Sequence, residues 1–169
     1  MMSRRDRASA ALVVFFILVA VTLEAYFVLN SGRLAERHDL AAQAFALYGQ
    51  GDRGYFDRVT TFERGLESFN ILFTQPLNLL LLAGILRRSL WRYPLQLGVC
   101  SYVCYSTALY LISNHLSGYA GMARHDLAGF LIFYLPNLPW LAGNGWLAWD
   151  AGRAIASAFR ASELRIPTV

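Results

Sequence analysis

The sequence predicts an all-α membrane protein, a bundle of four transmembrane helices with both termini in the cytoplasm. Apolar residues make up 56% of the 169 residues and charged residues only 15%. The apolar residues also fall into four blocks, each long enough to cross a bilayer. This balance excludes a disordered chain and disfavours a water-soluble domain. In lipid each block must be helical, because its backbone polar groups find no water to bond.

The four blocks form a single predicted membrane domain over residues 1–169. Each is close to the roughly 20 residues that span the hydrocarbon core at about 1.5 Å per residue. Pro76, Pro136 and Pro139 lie inside them, and we expect kinks there because proline removes a backbone donor. The predicted spans are 8–29, 66–86, 94–113 and 127–148.

Arginine placement predicts the orientation of the bundle. With four crossings all three arginine clusters lie on one side, and the positive-inside rule makes that side cytoplasmic. Residues 31–65, which carry charges of both signs, then form an external loop. The alternative is that the first block is a cleaved signal peptide, since basic residues before an apolar run fit that too. The clusters are Arg4, Arg5 and Arg7, then Arg87, Arg88 and Arg92, then Arg153, Arg160 and Arg165.

The composition also bounds the partners. All 15 of the Lys+Arg residues are arginine, a usage typical of a GC-rich genome, so the net charge of +4 predicts no nucleic-acid partner. Two cysteines are too few for a disulfide framework. The predicted environment is the lipid bilayer: the inner membrane of a bacterium, or the endoplasmic reticulum of a eukaryote. A homodimer stays open as an oligomeric state.

Polar side chains inside the spans are the candidate functional residues, because a charge deep in a membrane helix costs about 2.5–3.5 kcal/mol. Most of them fall between the predicted outer boundary and the midplane, which predicts a polar cavity within the bundle. They are Glu24 in the first span, Glu67 and Asn70 in the second, Tyr105 in the third, and Tyr134, Asn137, Trp140 and Asn144 in the fourth.

Each of these residues also has a structural interpretation. Glu67 fits a first-turn carboxylate favoured by the helix dipole. A protonated Glu24 fits a hydrogen bond between helices, and the same holds for the amides of Asn137 and Asn144. The three histidines, among them His115, are scattered in loops and predict no metal site.

Several short motifs follow one another along the chain in an order that is typical of a known protein family. They are Leu23-Glu24-Ala-Tyr-Phe-Val-Leu29, Tyr48-Gly-Gln-Gly51-Asp52-Arg-Gly-Tyr55, Leu66-Glu67-Ser-Phe-Asn70 with Gln75-Pro76-Leu77, Tyr93-Pro94-Leu95-Gln96-Leu97, Tyr105, Leu109-Tyr110, His115, and Asn137-Leu-Pro-Trp140 with Trp149-Asp150-Ala151. In this order, over about residues 18–155, the chain resembles the emopamil-binding protein family, the EXPERA-domain sterol Δ8–Δ7 isomerases.

The resemblance implies an EXPERA-like four-helix bundle whose hydrophobic cavity holds a sterol or terpenoid substrate. In the family an alkene carbon is protonated, and the resulting tertiary carbocation loses a proton from a neighbouring carbon. No metal, nucleotide or other cofactor is required. The implied site residues are Glu24 and Glu67 as the acid/base pair, Trp140 as the ring that stabilises the cation, Asn70 and Asn137 as orienting amides, and Tyr105, Tyr134 and His115 as further substrate-binding groups.

The chain also departs from the family pattern. The family isomerases carry a histidine one turn before the first glutamate, where this chain has Ala20. The family's Gly-Asp pair is Ser106-Thr107 here, and the glutamate before its loop histidine is Asn114. Two functions follow as alternatives: a membrane isomerase or cyclase acting through a carbocation, or a non-catalytic protein that binds sterols or other lipophiles, as in the sigma-2 receptor branch.

Overall fold

The computed structural model describes residues 2–163, which fold into six helices joined by turns. The described residues contain no β-strand, so the predicted all-α class is confirmed. Arg165 of the third arginine cluster lies outside the described residues. The helices are α1 (Arg4–Asn30), α2 (Leu40–Tyr48), α3 (Thr61–Leu86), α4 (Arg92–Leu116), α5 (Leu127–Tyr134) and α6 (Leu138–Glu163).

Three of these helices, α1, α3 and α4, are long and apolar enough to cross a membrane. The predicted fourth span, 127–148, is divided between α5 and the start of α6. The break between them contains Pro136, one of the prolines expected to interrupt a helix. A fourth crossing and cytoplasmic termini therefore stay predictions.

Helix α1 widens into one π-helical turn at Ala20–Glu24. The hydroxyl of Thr22 donates to the carbonyl of Leu18 at 2.7 Å. This bond occupies the carbonyl that a regular helix would offer to the backbone N–H four residues later, which favours the wider turn. The π turn ends at Glu24, so it sets the direction in which that carboxylate leaves the helix.

Helix α3 has a matching π turn at Asn70–Thr74, just before Pro76. Proline has no N–H to give the carbonyl of Leu72, so the regular bonding pattern cannot continue through this point. The helix nevertheless runs on to Leu86 instead of breaking. The two π turns contact each other across the α1–α3 interface, and such turns frequently mark functional sites.

The helices pack as two antiparallel pairs. The first half of α1 packs against Gln75–Leu86 of α3, and its last turns, Ala25–Asn30, pack against Thr61–Phe69. Helix α4 packs along α6, and the buried amide of Gln96 donates to the carbonyl of Leu147 at 2.8 Å. The two pairs meet at the middle of the bundle, where residues of α1, α3, α4 and the α5–α6 break surround a common space.

Two hydrophobic clusters close the bundle above and below this middle level. Helices α1 and α4 carry residues of both clusters, and in each of them polar residues lie between the two sets. One cluster contains Phe27, Leu34, Phe45, Tyr55, Tyr110, Met122 and Phe133. The other contains Val13, Phe16, Leu81, Ile85, Cys100 and Leu147.

Residues 31–65 are not the simple external loop that the sequence predicts. They include α2, and α3 begins at Thr61. Asp39 accepts the backbone N–H of Ala42 at 3.1 Å and so caps α2. Hydrogen bonds from Tyr26 and Arg37 lower the pKa of the Asp39 carboxyl to about 2, so this cap is charged at neutral pH. The charged residues of the segment therefore stabilise local structure.

The connection after α2 lies tightly against α5 at Gly51. A Cβ atom at this position would come 2.7 Å from the backbone nitrogen of Phe133, and helix backbone cannot move aside cheaply. We expect Gly51→Ala to destabilise the fold by about 1–3 kcal/mol, a fall of roughly 3–10 °C in Tm measured by thermal unfolding in detergent. Gly65→Ala is the matched control, since nothing lies within 4 Å of its Cβ. Equal Tm values for the two variants would contradict this account of the packing.

Candidate active site

Two adjoining cavities lie between the hydrophobic clusters, at the level of the π turns. The larger holds about 250 Å³ and is lined mainly by apolar side chains of α1, α2 and the α5–α6 break. The smaller is a polar recess of about 60 Å³ between α3 and α4. The residues common to both are Glu24, Tyr55, Glu67, Asn137 and Trp140.

The two glutamates reach these cavities from different helices. Asn70 donates its side-chain N–H to Glu24, which joins the π turns of α3 and α1. The hydroxyl of Tyr55 donates to Glu67 Oε1 at 2.7 Å. Glu67, only 9% exposed, lies one turn before Asn70 on the same face of α3. One amide and one phenol therefore hold two carboxyl groups at a shared wall.

No basic side chain is among the described residues that line the two cavities. The side chains of Glu24 and Glu67 also take part in no ion pair within residues 2–163. An ionisable side chain in a membrane helix usually faces the interior of the bundle or a water-filled cavity and pairs with another group. Here each carboxyl group accepts a hydrogen bond from a neutral side chain and also borders open volume, an arrangement that can give a proton to a bound molecule and take one from it.

Trp140 forms another part of the shared wall. Its indole stacks on Phe16 with 4.7 Å between ring centroids and 21° between planes. Gly143, one turn later, permits this, because a Cβ there would lie 2.7 Å from the Phe16 ring. The amide of Asn144 donates to the Trp140 carbonyl at 2.9 Å. This hydrogen bond lies within α6, whereas the sequence favoured a hydrogen bond between two helices. The indole is thus held in a set orientation beside both carboxyl groups.

Asn137 lies in the break between α5 and α6. Its side-chain N–H groups donate to the Phe133 carbonyl at 2.7 Å and to the Tyr48 hydroxyl at 3.1 Å. The Asn137 amide therefore replaces the helical N–H that the Phe133 carbonyl lacks at the break. The same amide connects the break to α2 through Tyr48. The expected contact with a carboxylate is replaced by this contact with a phenol.

Three predicted substrate-binding residues are not brought to the cavities. Tyr105 is 65% exposed, because it lies about 200° around α4 from the inward-facing Val103 at 100° per residue. The hydroxyl of Tyr134 lies 2.7 Å from that of Tyr119, which in turn lies 3.1 Å from His115 Nδ1. Tyr134 and His115 thus belong to a separate polar group near the end of α4. None of the three predicted residues lines either cavity, and their role in binding substrate stays a prediction.

Other residues line the two cavities that the sequence analysis did not single out as site residues. Tyr102 and Thr107 of α4 line the recess where Tyr105 was expected. Tyr48 lines the larger cavity and Tyr55 lines both cavities, and both come from the segment predicted to be an external loop. Their signal in the sequence was the Tyr48-to-Tyr55 motif, which places two phenols and Asp52 within eight residues.

Ala20, which replaces the family histidine, is fully buried. It does not line either cavity; α1 contributes Val19, Leu23 and Glu24 there. Glu24 is thus the titratable group that α1 provides to the site.

These features define a helical membrane protein with a buried acidic cavity beside an indole ring. The sequence model of the EXPERA (EXPanded EBP superfamily) family matches residues 40–151, and the chain belongs to this family. It is 27% identical over 141 residues to the 3-beta-hydroxysteroid-Delta(8),Delta(7)-isomerase of Mus musculus, an alignment that covers 83% of this chain and 61% of the relative. The Rattus norvegicus enzyme of the same name matches with the same identity and coverage. The chain therefore spans about three fifths of the length of these relatives.

Proposed function

We propose that the chain is a membrane isomerase that moves a double bond in, or cyclises, a sterol or terpenoid through a carbocation. The observation that carries this proposal is the meeting of Glu24 and Glu67, from two helices, at one cavity beside Trp140. The names of the two rodent relatives supply the substrate class and the type of double-bond shift.

The reaction needs one proton given and one taken. A carboxyl group of the pair transfers its proton to an alkene carbon, which leaves a tertiary carbocation on the neighbouring carbon. The other group, as carboxylate, removes a proton from an adjacent carbon, and that C–H pair of electrons becomes the new double bond. Asn70 and Tyr55 hold the carboxyl groups through the hydrogen bonds described above. Trp140 presents a π face to the transient positive charge.

The larger cavity suits a lipophilic substrate. It lies between α1, α2 and the α5–α6 break, with Leu23, Ala44 and Pro136 along its edge. A hydrocarbon entering here leaves lipid for an apolar wall and meets polar groups only where the carboxyl groups lie. This arrangement matches the common pattern of ligand sites, which are mostly apolar with a few converging polar groups.

Incubation of the purified protein with Δ8-sterols and prenylated epoxides in deuterated water tests the proposal. We expect an isomerised or cyclised product that carries deuterium from solvent at the carbon that was protonated, detected by mass spectrometry and NMR. Unchanged substrate across the panel, with a protein that binds the same molecules tightly, would overturn it.

The second candidate is a non-catalytic sterol- or lipophile-binding membrane protein of the sigma-2 receptor type. Ala20 favours it, because the family isomerases have a histidine there and this chain offers only packed methyl surface. A binding protein would retain the cavity and still return every substrate unchanged.

A further inference from the structure

We propose that Asp52, through Tyr110, forms the route by which the carboxyl groups of the site exchange protons with water outside the bundle. The inference rests on the proposed function, and it concerns how the site is reset between turnovers. A double-bond shift returns as many protons as it consumes, so a route to solvent decides whether each product proton comes from the substrate or from water.

The inner part of the route begins in the polar recess. Tyr110, only 2% exposed, lines this recess together with Glu67. The recess, of about 60 Å³, has room for water. One water molecule needs only about 10–15 Å³ of cavity volume and a few polar partners. Glu67, Thr107 and Tyr110 supply such partners. Water that enters the recess would connect the carboxyl pair with the Tyr110 hydroxyl.

The middle of the route is a direct hydrogen bond. The hydroxyl of Tyr110 donates to Asp52 Oδ2. The Tyr48 hydroxyl lies 3.4 Å from that of Tyr110, and the amide of Asn137 donates to Tyr48 at 3.1 Å. Because the Tyr110 hydroxyl gives its proton to Asp52, it accepts from the Tyr48 hydroxyl, which in turn accepts from Asn137. Each hydrogen bond of this series therefore points toward Asp52. The aspartate is thus the acceptor at which the polar chain ends.

The outer part of the route opens beyond Asp52. Although it is only 2% exposed, Asp52 also borders a separate cavity of about 330 Å³ between the outer turns and the ends of α3 and α4. The charged groups that line this cavity with it are Arg58 and Glu63. Burial raises the pKa of Asp52, and the nearby charge of Glu63 acts in the same direction. Such a carboxyl group takes up a proton more readily than an exposed aspartate.

Asp52 also has a local structural role, which the choice of variant must respect. Its Oδ1 accepts the backbone N–H of Gly54 at 2.8 Å and holds the turn at Arg53–Tyr55. Asparagine keeps an oxygen for this bond, and its N–H can donate to the Tyr110 oxygen, which reverses that hydrogen bond but retains the contact. Unlike a carboxylate, the amide cannot take up and release a proton. Asp52→Asn therefore separates proton exchange from turn geometry. Tyr110→Phe is the second variant, since it removes the hydroxyl and keeps the packed ring.

The test compares deuterium in the product when a 3β-hydroxy-Δ8-sterol is isomerised in deuterated water. The wild-type product should carry close to one solvent deuterium per molecule at the protonated carbon. In Asp52→Asn and Tyr110→Phe the abstracted protium should be used again before it exchanges, so this deuterium should fall at least twofold. Asp57→Asn is the matched control, because Asp57 lies on the same connection and pairs with Arg53. Full incorporation by both variants, with wild-type Tm values, would overturn the route.

A second measurement needs no turnover. On rapid transfer of the protein into deuterated water, the infrared C=O band of the protonated carboxyl group in the site should shift several-fold more slowly in Asp52→Asn than in Asp57→Asn. Equal rates would overturn the route even if no substrate reacts. A wild-type protein that makes no product contradicts the proposed function alone, so the two failures are distinguishable.

Discussion

Glu67→Gln is expected to lower the turnover of a 3β-hydroxy-Δ8-sterol by about 10²–10⁴-fold, the usual contribution of a positioned acid or base. Glutamine retains the oxygen that accepts from Tyr55 and has nearly the same shape, but it can neither give nor take a proton. Glu24→Gln should cause a loss of the same order, because each carboxyl group has its own step. The measurement is kcat from sterol product formation, together with sterol binding by the inactive proteins.

The matched control is Glu36→Gln, an exposed glutamate of the outer segment that should leave turnover unchanged. We expect both inactive variants to bind the sterol with an affinity close to that of the wild type, since neither change alters the apolar wall. Retention of wild-type turnover by either variant would show that the corresponding carboxyl group takes no part in proton transfer.

Trp140→Leu should reduce kcat by about 10–30-fold. A desolvated cation beside an indole gains up to roughly 2 kcal/mol, and each 1.36 kcal/mol of barrier corresponds to about a factor of ten in rate. The indole is held by its stacking on Phe16, so the π face is in place before the charge develops. The effect should fall mainly on kcat and less on KM, because the neutral substrate gains little from the quadrupole of the ring.

Trp140→Phe separates the π face from simple filling of space. Phenylalanine keeps an aromatic face of weaker potential, so its kcat should lie between those of the wild type and Trp140→Leu. Trp149→Leu is the matched control, since that indole is 54% exposed and stacks with Arg153 away from the cavities. Equal kcat values for the Leu and Phe variants at position 140 would contradict cation stabilisation by the ring.

Hydropathy and motif order predicted the helical class and the family, and both predictions are confirmed. The sequence also predicted that most of the polar residues in the spans lie between the outer boundary and the midplane of the bundle, and the structure brings Glu24, Glu67 and Trp140 to the same two cavities. A charge in an apolar run has few favourable places, so its position in the sequence largely defines its depth in the membrane. Depth is a property of one helix, so a linear pattern can carry it.

Whether a side chain points into the bundle depends on how its helix is rotated against its neighbours. The linear pattern could not predict this rotation. Tyr105 lies at the expected depth of α4 but on the face turned away from the bundle. Asp52 and Tyr55 looked like external loop residues, yet close packing of that segment against α5 and α3 buries both. The π turn before Glu24 rotates the carboxylate toward Asn70, a contact between residues 46 positions apart. Such contacts depend on how the helices pack together, and only the folded chain brings these residues close.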